Sequence, residues 1–454
     1  MMLAFILLTL FSVAILFLGF IKQRNVIIPI SILAILSAII SISTEQNFWN
    51  HYLMDMIRID FNSKIVSLII LYTGLALVPF FALFQKRGNE ELADFMGIFI
   101  FSIVGALLMV GAVNYMTLFL GVEILSISMY ILAGADRRKV KSNEASLKYF
   151  IMGAFASAFM LFGIGLIYAS TGSLSLLNIA SQSSVLTDFA LVFLFSSFAF
   201  KIALVPFHFW TPDVYEGTPT LFTAAMSTIV KVAAFGSFYN LIQLNTPLLP
   251  DWIQWYFVFL ILATLIIGNL MALSQRSVKR LLAYSGIVQA GFILMGFLQL
   301  DANSEWPIFF YFIAYTLASL VAFIVVHFVE VQSGSDDIDS FAGLSKSNPS
   351  LAIFMTLALI SLAGGPLTAG FIAKLLMLNQ AIQSGFSALV IIAVICTLMS
   401  VYYYYKIVNS MFSKSGDSRW SIPFIYNGLL LIFIIITFAA GIVPTYFTNL
   451  LRNF

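Results

Sequence analysis

The sequence predicts an all-α polytopic membrane protein of about fourteen transmembrane helices, built from two inverted five-helix repeats and containing two broken helices. Three observations carry that expectation. Apolar runs recur along all 454 residues, which are 61% hydrophobic and only 9% charged, far from the balance of a soluble domain. Basic residues collect in alternate loops. Two of the apolar runs are interrupted by Pro or Gly beside a lysine.

A helix that crosses a bilayer needs about 20 apolar residues. At that length, spans are expected at 2–21, 25–43, 64–84, 96–112, 114–134, 146–170, 187–209, 219–243, 251–274, 280–300, 306–331, 351–382, 385–409 and 422–447. The first reads as a span rather than a signal peptide: its apolar stretch is long, its basic residues follow it, and no small-residue cleavage site appears. Lys22 and Arg24, Lys86 and Arg87, Arg137 to Lys139 with Lys141, Arg276 with Lys279 and Arg280, Lys346, and Lys414 with Arg419 fall in alternate loops. The opposite loops and the tail hold only Arg58, Lys64 and Arg452. Cytoplasmic loops gather Lys and Arg, so both termini are expected on the non-cytoplasmic side. The net charge of +2 adds little to this.

The spans group into an N-terminal three-helix segment (1–95), a first half-channel of spans 4 to 8 (96–243), a second of spans 9 to 13 (251–409), and a C-terminal helix (410–454). Only the segments 44–63, 171–186 and 331–350 are long enough to hold structure of their own, and the first carries a weak strand or hairpin signal. No nucleotide-binding loop or soluble domain is legible. The single cysteine, Cys396, lies in an apolar run, so this chain alone builds no disulfide framework, zinc site or cysteine-ligated cluster. A redox cofactor would have to sit in another subunit.

Of 22 Lys and Arg, those well inside spans are Lys201, Lys231 and Lys374; of 20 acids, only Glu123 is. Intramembrane charges are expensive and mark pathways more often than not. Glu123 and Lys231 fall near the middle of their spans, where a side chain does not readily snorkel out. The plainer alternative is a static ion pair, but three bases against one acid exceed what a pair requires. Burial disfavours an ammonium and a nearby carboxylate restores it, so a lysine such as Lys201 near Glu123 would exchange its proton as their separation changes.

The two interruptions are Pro206, just after Lys201, and Gly364, Gly365 and Pro366, ahead of Lys374. A lone membrane proline is often an ordinary kink; two breaks, each paired with a lysine, look like the discontinuous helices of transporters. They fall in spans 7 and 12. That offset of five reverses orientation and suggests inverted repeats with Lys201 and Lys374 in matching places.

Other polar residues carry less. Lys148, one turn after Glu144, reads equally as an interfacial pair or a relay. His208 titrates near neutrality and lies past the break, which favours proton transfer over capping. His327 and Glu330 read as an interfacial pair, Asp213 and Glu216 as structural, and Tyr402 to Tyr405 as packing and anchoring groups.

The run Lys201 to Thr220, Lys-Ile-Ala-Leu-Val-Pro-Phe-His-Phe-Trp-Thr-Pro-Asp-Val-Tyr-Glu-Gly-Thr-Pro-Thr, resembles the signature of the antiporter-like subunits of respiratory complex I, the proton-translocating NADH:quinone oxidoreductase. Leu118 to Glu123, Lys279 to Ile287, and Gly364 to Lys374 add matches in the same order. The resemblance implies a 14-helix fold in a bacterial inner membrane. It also implies proton translocation driven by quinone reduction elsewhere, with NADH, FMN, iron–sulfur clusters and quinone held by partner subunits. Partners would be a neighbouring antiporter-like subunit, small membrane subunits and the lipid bilayer, with no nucleic acid. Glu123 would match the family's span-5 glutamate, Lys201 its span-7 lysine, Lys231 its span-8 lysine and Lys374 its span-12 lysine. Among three paralogous types, one tends to carry glutamate at that last position and another a long lateral C-terminal helix; Lys374 and the end at Phe454 resemble the remaining type. One departure is Gln289, where related chains often have histidine. Glutamine orients water but does not titrate, so a link between central and terminal lysines would rely more on water. Two rival readings are a subunit of a multisubunit cation/proton antiporter and a non-conducting assembly scaffold.

Overall fold

The computed structural model describes residues 2–21, 24–44, 56–58, 60–83, 89–176, 185–245, 249–250, 252–298, 305–413 and 420–447. Lys22, Lys86, Arg87, Lys414, Arg419 and Arg452 of the loop-charge pattern lie outside them, as does most of the 44–63 segment. The helices run, in order, α1 (Met2–Leu18), α2 (Arg24–Ser43), α3 (Phe61–Phe81), α4 (Asn89–Gly111), α5 (Tyr115–Ala133), α6 (Val140–Thr171), α7 (Val185–Ile202), α8 (Trp210–Gly217) and α9 (Thr220–Ala225). They continue with α10 (Lys231–Asn245), α11 (Trp252–Leu273), α12 (Val278–Met295), α13 (Glu305–Ser333), α14 (Leu344–Ser347), α15 (Pro349–Ala363), α16 (Ala369–Gln383), α17 (Ser387–Ser413) and α18 (Phe424–Ile442).

Among the described residues, twelve helices are long and apolar enough to cross a membrane, α9 and α10 counting as one, and Met2–Leu18 and Pro349–Ala363 are shorter apolar helices. The chain is an all-α polytopic membrane protein. Strand structure is limited, among the described residues, to isolated antiparallel bridges, Ile57 with Ala112, Asn114 with Ser175 and Ser277 with Asp337. The expected strand or hairpin of 44–63 falls largely outside the described residues, of which Ile57 makes one bridge.

The chain forms two compact units. The first comprises Met1–Ile202 and Gly217–Asp251, the second Ala203–Glu216 and Trp252–Phe454. In the first, α4 packs on α5, α1 and α3; α6 lies between α5 and α7, and α10 contacts α3, α4 and α7. Every side chain from Thr220 to Ile242 is buried, so this segment is the unit's core. In the second, α12 and α13 occupy that role: every side chain of α12 except Arg280 is buried, and α13 contacts α15, α16 and α18.

Helix ends follow local chemistry. Asp60 caps α3 with a reciprocal bond to Ser63, Asn114 caps α5, Ser277 caps α12, and Thr368 caps α16, each supplying an acceptor for N–H groups that a first turn leaves open. The span 187–209, expected to be interrupted at Pro206, ends its helix at Ile202. Pro206 has no N–H and disfavours helical backbone at the residue before it, and Ala203 already adopts φ 63°, a left-handed conformation costing about 1–2 kcal/mol. The Val205 N–H then donates to Thr264 Oγ1 on α11 at 3.0 Å, which fixes the segment within the second unit. The expected continuous helix 219–243 instead contains a π turn at Met226–Val230, a feature without a sequence signature here.

The second break falls where expected. α15 ends on Gly364 at φ 85°, Leu367 has φ 66°, and α16 restarts after Thr368. The restart is tight: a Cβ on Gly370 would lie 1.9 Å from the Ser361 carbonyl oxygen. Gly370→Ala is therefore expected to destabilise the protein by about 1–3 kcal/mol through overpacking. Gly428→Ala, in α18 with open space around its Cβ position, should leave stability unchanged or slightly improved. Thermal unfolding of the purified protein in detergent distinguishes the two; equal melting temperatures would contradict this account of the break.

Candidate functional site

In the first unit, the face of α5 that carries Glu123 also carries Ser126 and Tyr130. Spacings of three and four residues place all three on one side of the helix. Glu123 is half-buried and accepts a hydrogen bond from Ser157 Oγ on α6. Lys201, the penultimate residue of α7 and buried, donates to Ser126 Oγ at 2.7 Å and more loosely to Tyr130 Oη at 3.4 Å. Its ammonium also lies 5.8 Å from the centre of the Tyr130 ring and 5.9 Å from that of Phe200, within cation–π range.

The paired charges expected from sequence thus share a site without a direct ion pair. Two hydroxyls stand around the lysine, and a third, Ser157, holds the carboxylate. Lys231 opens α10 immediately after the π turn and is almost wholly buried, at 2% exposure. π turns inside α-helices recur at functional sites, and this one sets the register at which Lys231 enters the core.

The second unit is built around the break between α15 and α16. Lys374 is buried and donates to the Ala363 carbonyl at 3.0 Å. Its ammonium stands 4.8 Å from the centre of the Phe292 ring. Gly364 makes room for it, since a Cβ there would come within 2.9 Å of Lys374 Cδ. Gln289, on the same face of α12 as Phe292, donates from Nε2 to the Leu362 carbonyl at 2.8 Å and accepts from Tyr311 Oη on α13. One turn earlier, Ser285 shares a hydrogen bond with Tyr404 of α17.

His208 is buried in the turn before α8, with its ring centroid 4.5 Å from that of Phe209. Asp213 and Glu216 both accept from Arg280 Nη1, at 2.7 and 3.0 Å. These two acids, read as structural from the sequence, tie the segment after the break to the start of α12. Lys148 pairs with Glu144 at 2.7 Å on a partly exposed side of α6. Of the four tyrosines, Tyr403 and Tyr404 point inward and Tyr402 and Tyr405 outward.

The count of buried cations was too small. Lys64, assigned to a loop, lies in the first turn of α3 and is buried; Lys279, assigned likewise, is buried in α12, where it pairs with Glu330 at 3.5 Å. Both sit near helix starts, where a charge in sequence looks interfacial, and packing alone encloses them. Ser126, Tyr130, Ser157 and Tyr311 have no part in the sequence reading, and Tyr404 has only a packing one. Helical spacing from Glu123 flags the first two, whereas the others are brought in from separate helices. Cys396 is buried, and the described residues assemble no group of three or more His, Cys, Asp or Glu suited to a metal ion.

Known proteins match this architecture closely. The family description "NADH:quinone oxidoreductase/Mrp antiporter, TM" matches residues 112–400, a stretch containing both breaks and Glu123, Lys201, Lys231 and Lys374. NADH-quinone oxidoreductase subunit N of Flavobacterium psychrophilum is 38% identical over 436 residues, covering 95% of this chain and 96% of the relative. The protein of the same name from Cytophaga hutchinsonii is 41% identical over 413 residues, covering 90% and 89%. A chain of respiratory complex I from Thermus thermophilus with bound aureothin superposes with a TM-score of 0.85 at 30% identity, covering 98% of each chain. A chain of the Mrp complex from Dietzia shares the fold at 19% identity and a TM-score of 0.85. By these matches the chain belongs to the NADH:quinone oxidoreductase/Mrp antiporter membrane family and, within it, to the subunit N family of NADH-quinone oxidoreductase.

Proposed function

We propose that this chain is a proton-translocating membrane subunit of an NADH:quinone oxidoreductase, coupling quinone reduction in other subunits to proton movement through its own buried charges. The observation that carries the reading is the full-length similarity to proteins named subunit N, together with a buried lysine at each broken helix. The same similarity favours it over a cation/proton antiporter subunit, since the likeness to the Mrp complex is one of fold. NADH, FMN, iron–sulfur clusters and quinone belong, on this reading, to partner subunits, among them a neighbouring antiporter-like subunit and small membrane subunits. The chain would lie in the bacterial inner membrane with both termini on the non-cytoplasmic side.

Lys201 is the switchable base of the first half-channel, residues 96–243, and Glu123 the acid that biases it. Lys231 follows as the next carrier, and Lys374 is the terminal base of the second half-channel, residues 251–409. Lys201 is met by the polar face of span 5, and Lys374 stands beside Phe292 of span 10. That correspondence supports the inverted-repeat reading. His208 and Lys148 are assigned lesser roles in proton transfer, His208 in the turn after the first break and Lys148 near the surface of α6. Glu123 and Lys201 act through the Ser126, Tyr130 and Ser157 hydroxyls rather than by direct contact, so a small shift of α5 or α7 re-partners the ammonium. Moving one charge against about 100 mV requires about 2.3 kcal/mol, within what making or breaking a buried charge interaction supplies.

Lys201→Ala and Glu123→Gln are expected to leave the complex assembled while lowering both the proton-to-electron ratio and coupled turnover. A wild-type ratio in assembled variants would overturn the assignment and favour a scaffold. Ser126→Ala should slow coupled turnover by about tenfold, as loss of a short hydrogen bond to a buried charge costs about 1.5–3 kcal/mol. Tyr130→Phe, which removes the 3.4 Å contact, should slow it less than threefold. NADH oxidation assayed with pH-sensitive dye in reconstituted vesicles measures both, and the reverse order of effects would contradict the geometry.

A further inference from the structure

The end of α15 poses an accounting problem. The last turn of a helix leaves four carbonyls without helical partners, and inside an apolar medium each needs a donor. Here all four are met, and by two different kinds of group. The Ile360 and Ser361 carbonyls accept from the Gly365 and Gly364 N–H groups at 2.8 and 3.0 Å. The Leu362 carbonyl accepts from Gln289 Nε2 at 2.8 Å, and the adjoining Ala363 carbonyl from Lys374 Nζ at 3.0 Å. Two consecutive carbonyls are thus divided between a neutral amide and an ammonium.

Gln289 is itself held in place. It is buried, its Oε1 accepts from Tyr311 Oη, and its helix neighbour Ser285 is tied to Tyr404. Its amide is oriented by a donor on one side and an acceptor on the other. Lys374 has three N–H groups and, among the described residues, uses one hydrogen-bond acceptor, with the Phe292 ring beside it.

We infer that Gln289 is a positioning residue for Lys374: by occupying the Leu362 carbonyl, it leaves the ammonium a single backbone acceptor at the helix break. Hydrogen bonds to the charged form favour that form. An ammonium bound to two carbonyls at once is anchored as a cation, whereas one bound to a single carbonyl stays exchangeable. An apolar residue at 289 frees the Leu362 carbonyl, which adjoins in sequence the Ala363 carbonyl that Lys374 already holds. In this role the glutamine carries no proton. It sets how firmly the neighbouring lysine is held.

The inference rests on the proposed role of Lys374, and a double-mutant cycle separates the two. In the assembled complex, reconstituted in vesicles, Gln289→Met is expected to slow NADH-driven proton uptake by about tenfold, the size of one additional hydrogen bond holding a charged group. Gln289→His, which offers one ring N–H to Leu362 and one ring nitrogen to Tyr311, should restore uptake to within about twofold of wild type. Tyr311→Phe, which loosens the amide without removing it, should cost about threefold and serves where Gln289→Met fails to assemble. Adding Gln289→Met to Lys374→Met should produce no further loss. Losses that multiply in the double variant, no loss in Gln289→Met, or no rescue by histidine would overturn the positioning role while leaving Lys374 in place. Wild-type uptake in Lys374→Met would instead overturn the reading of Lys374 itself.

Discussion

The bond from Lys374 to the Ala363 carbonyl satisfies two demands that would each be prohibitive alone. A broken helix in an apolar medium exposes carbonyls that cost several kcal/mol apiece when unpaired. A lysine at the same depth needs an acceptor for its charge. Placing the lysine at the break lets each satisfy the other, so break and charge form one device. The glycines follow from the same requirement: Gly364 leaves room for the lysine stem, and Gly370 lets α16 restart against the end of α15.

The first unit meets the same cost differently. α7 ends one residue after Lys201, yet the ammonium is directed to side-chain hydroxyls, Ser126 and Tyr130, rather than to a helix-end carbonyl. Hydroxyls rotate, donate and accept, so they respond to a change in the charge they face, whereas a carbonyl only accepts. The carboxylate of Glu123, held by Ser157, lies one turn from Ser126 on the same helix. Acid and base therefore share a hydrogen-bonded neighbourhood without neutralising one another outright. A direct buried pair would bind its proton state more rigidly.

Several elements could be read before any coordinates. Glu123, Lys201, Lys231 and Lys374 stand out because charge in a long apolar run has few innocent explanations, and the break at Gly364 to Pro366 because those residues are poor helix formers. Other features left weaker traces. The polar face of α5 follows from three- and four-residue spacing and was available to a stricter count. Lys64 and Lys279 were misplaced because a charge at a helix start resembles a loop charge until a neighbouring helix covers it. The π turn before Lys231 has no compositional mark, since Met226 to Val230 would form an ordinary helix equally well.

The sequence by itself determined the membrane class, the four charges lying deep in apolar runs and the two spans that are interrupted, because each follows from local composition and the geometry of a single helix. Only the tertiary structure decided which groups those charges hold: hydroxyls for Lys201, a carbonyl for Lys374, and an amide on the adjoining carbonyl. Those partners come from helices distant in the chain, up to 75 residues away for Lys201 and 73 for the bond between Gln289 and Leu362. Their distances are set by the packing of whole helices against one another, a property no single stretch of sequence encodes.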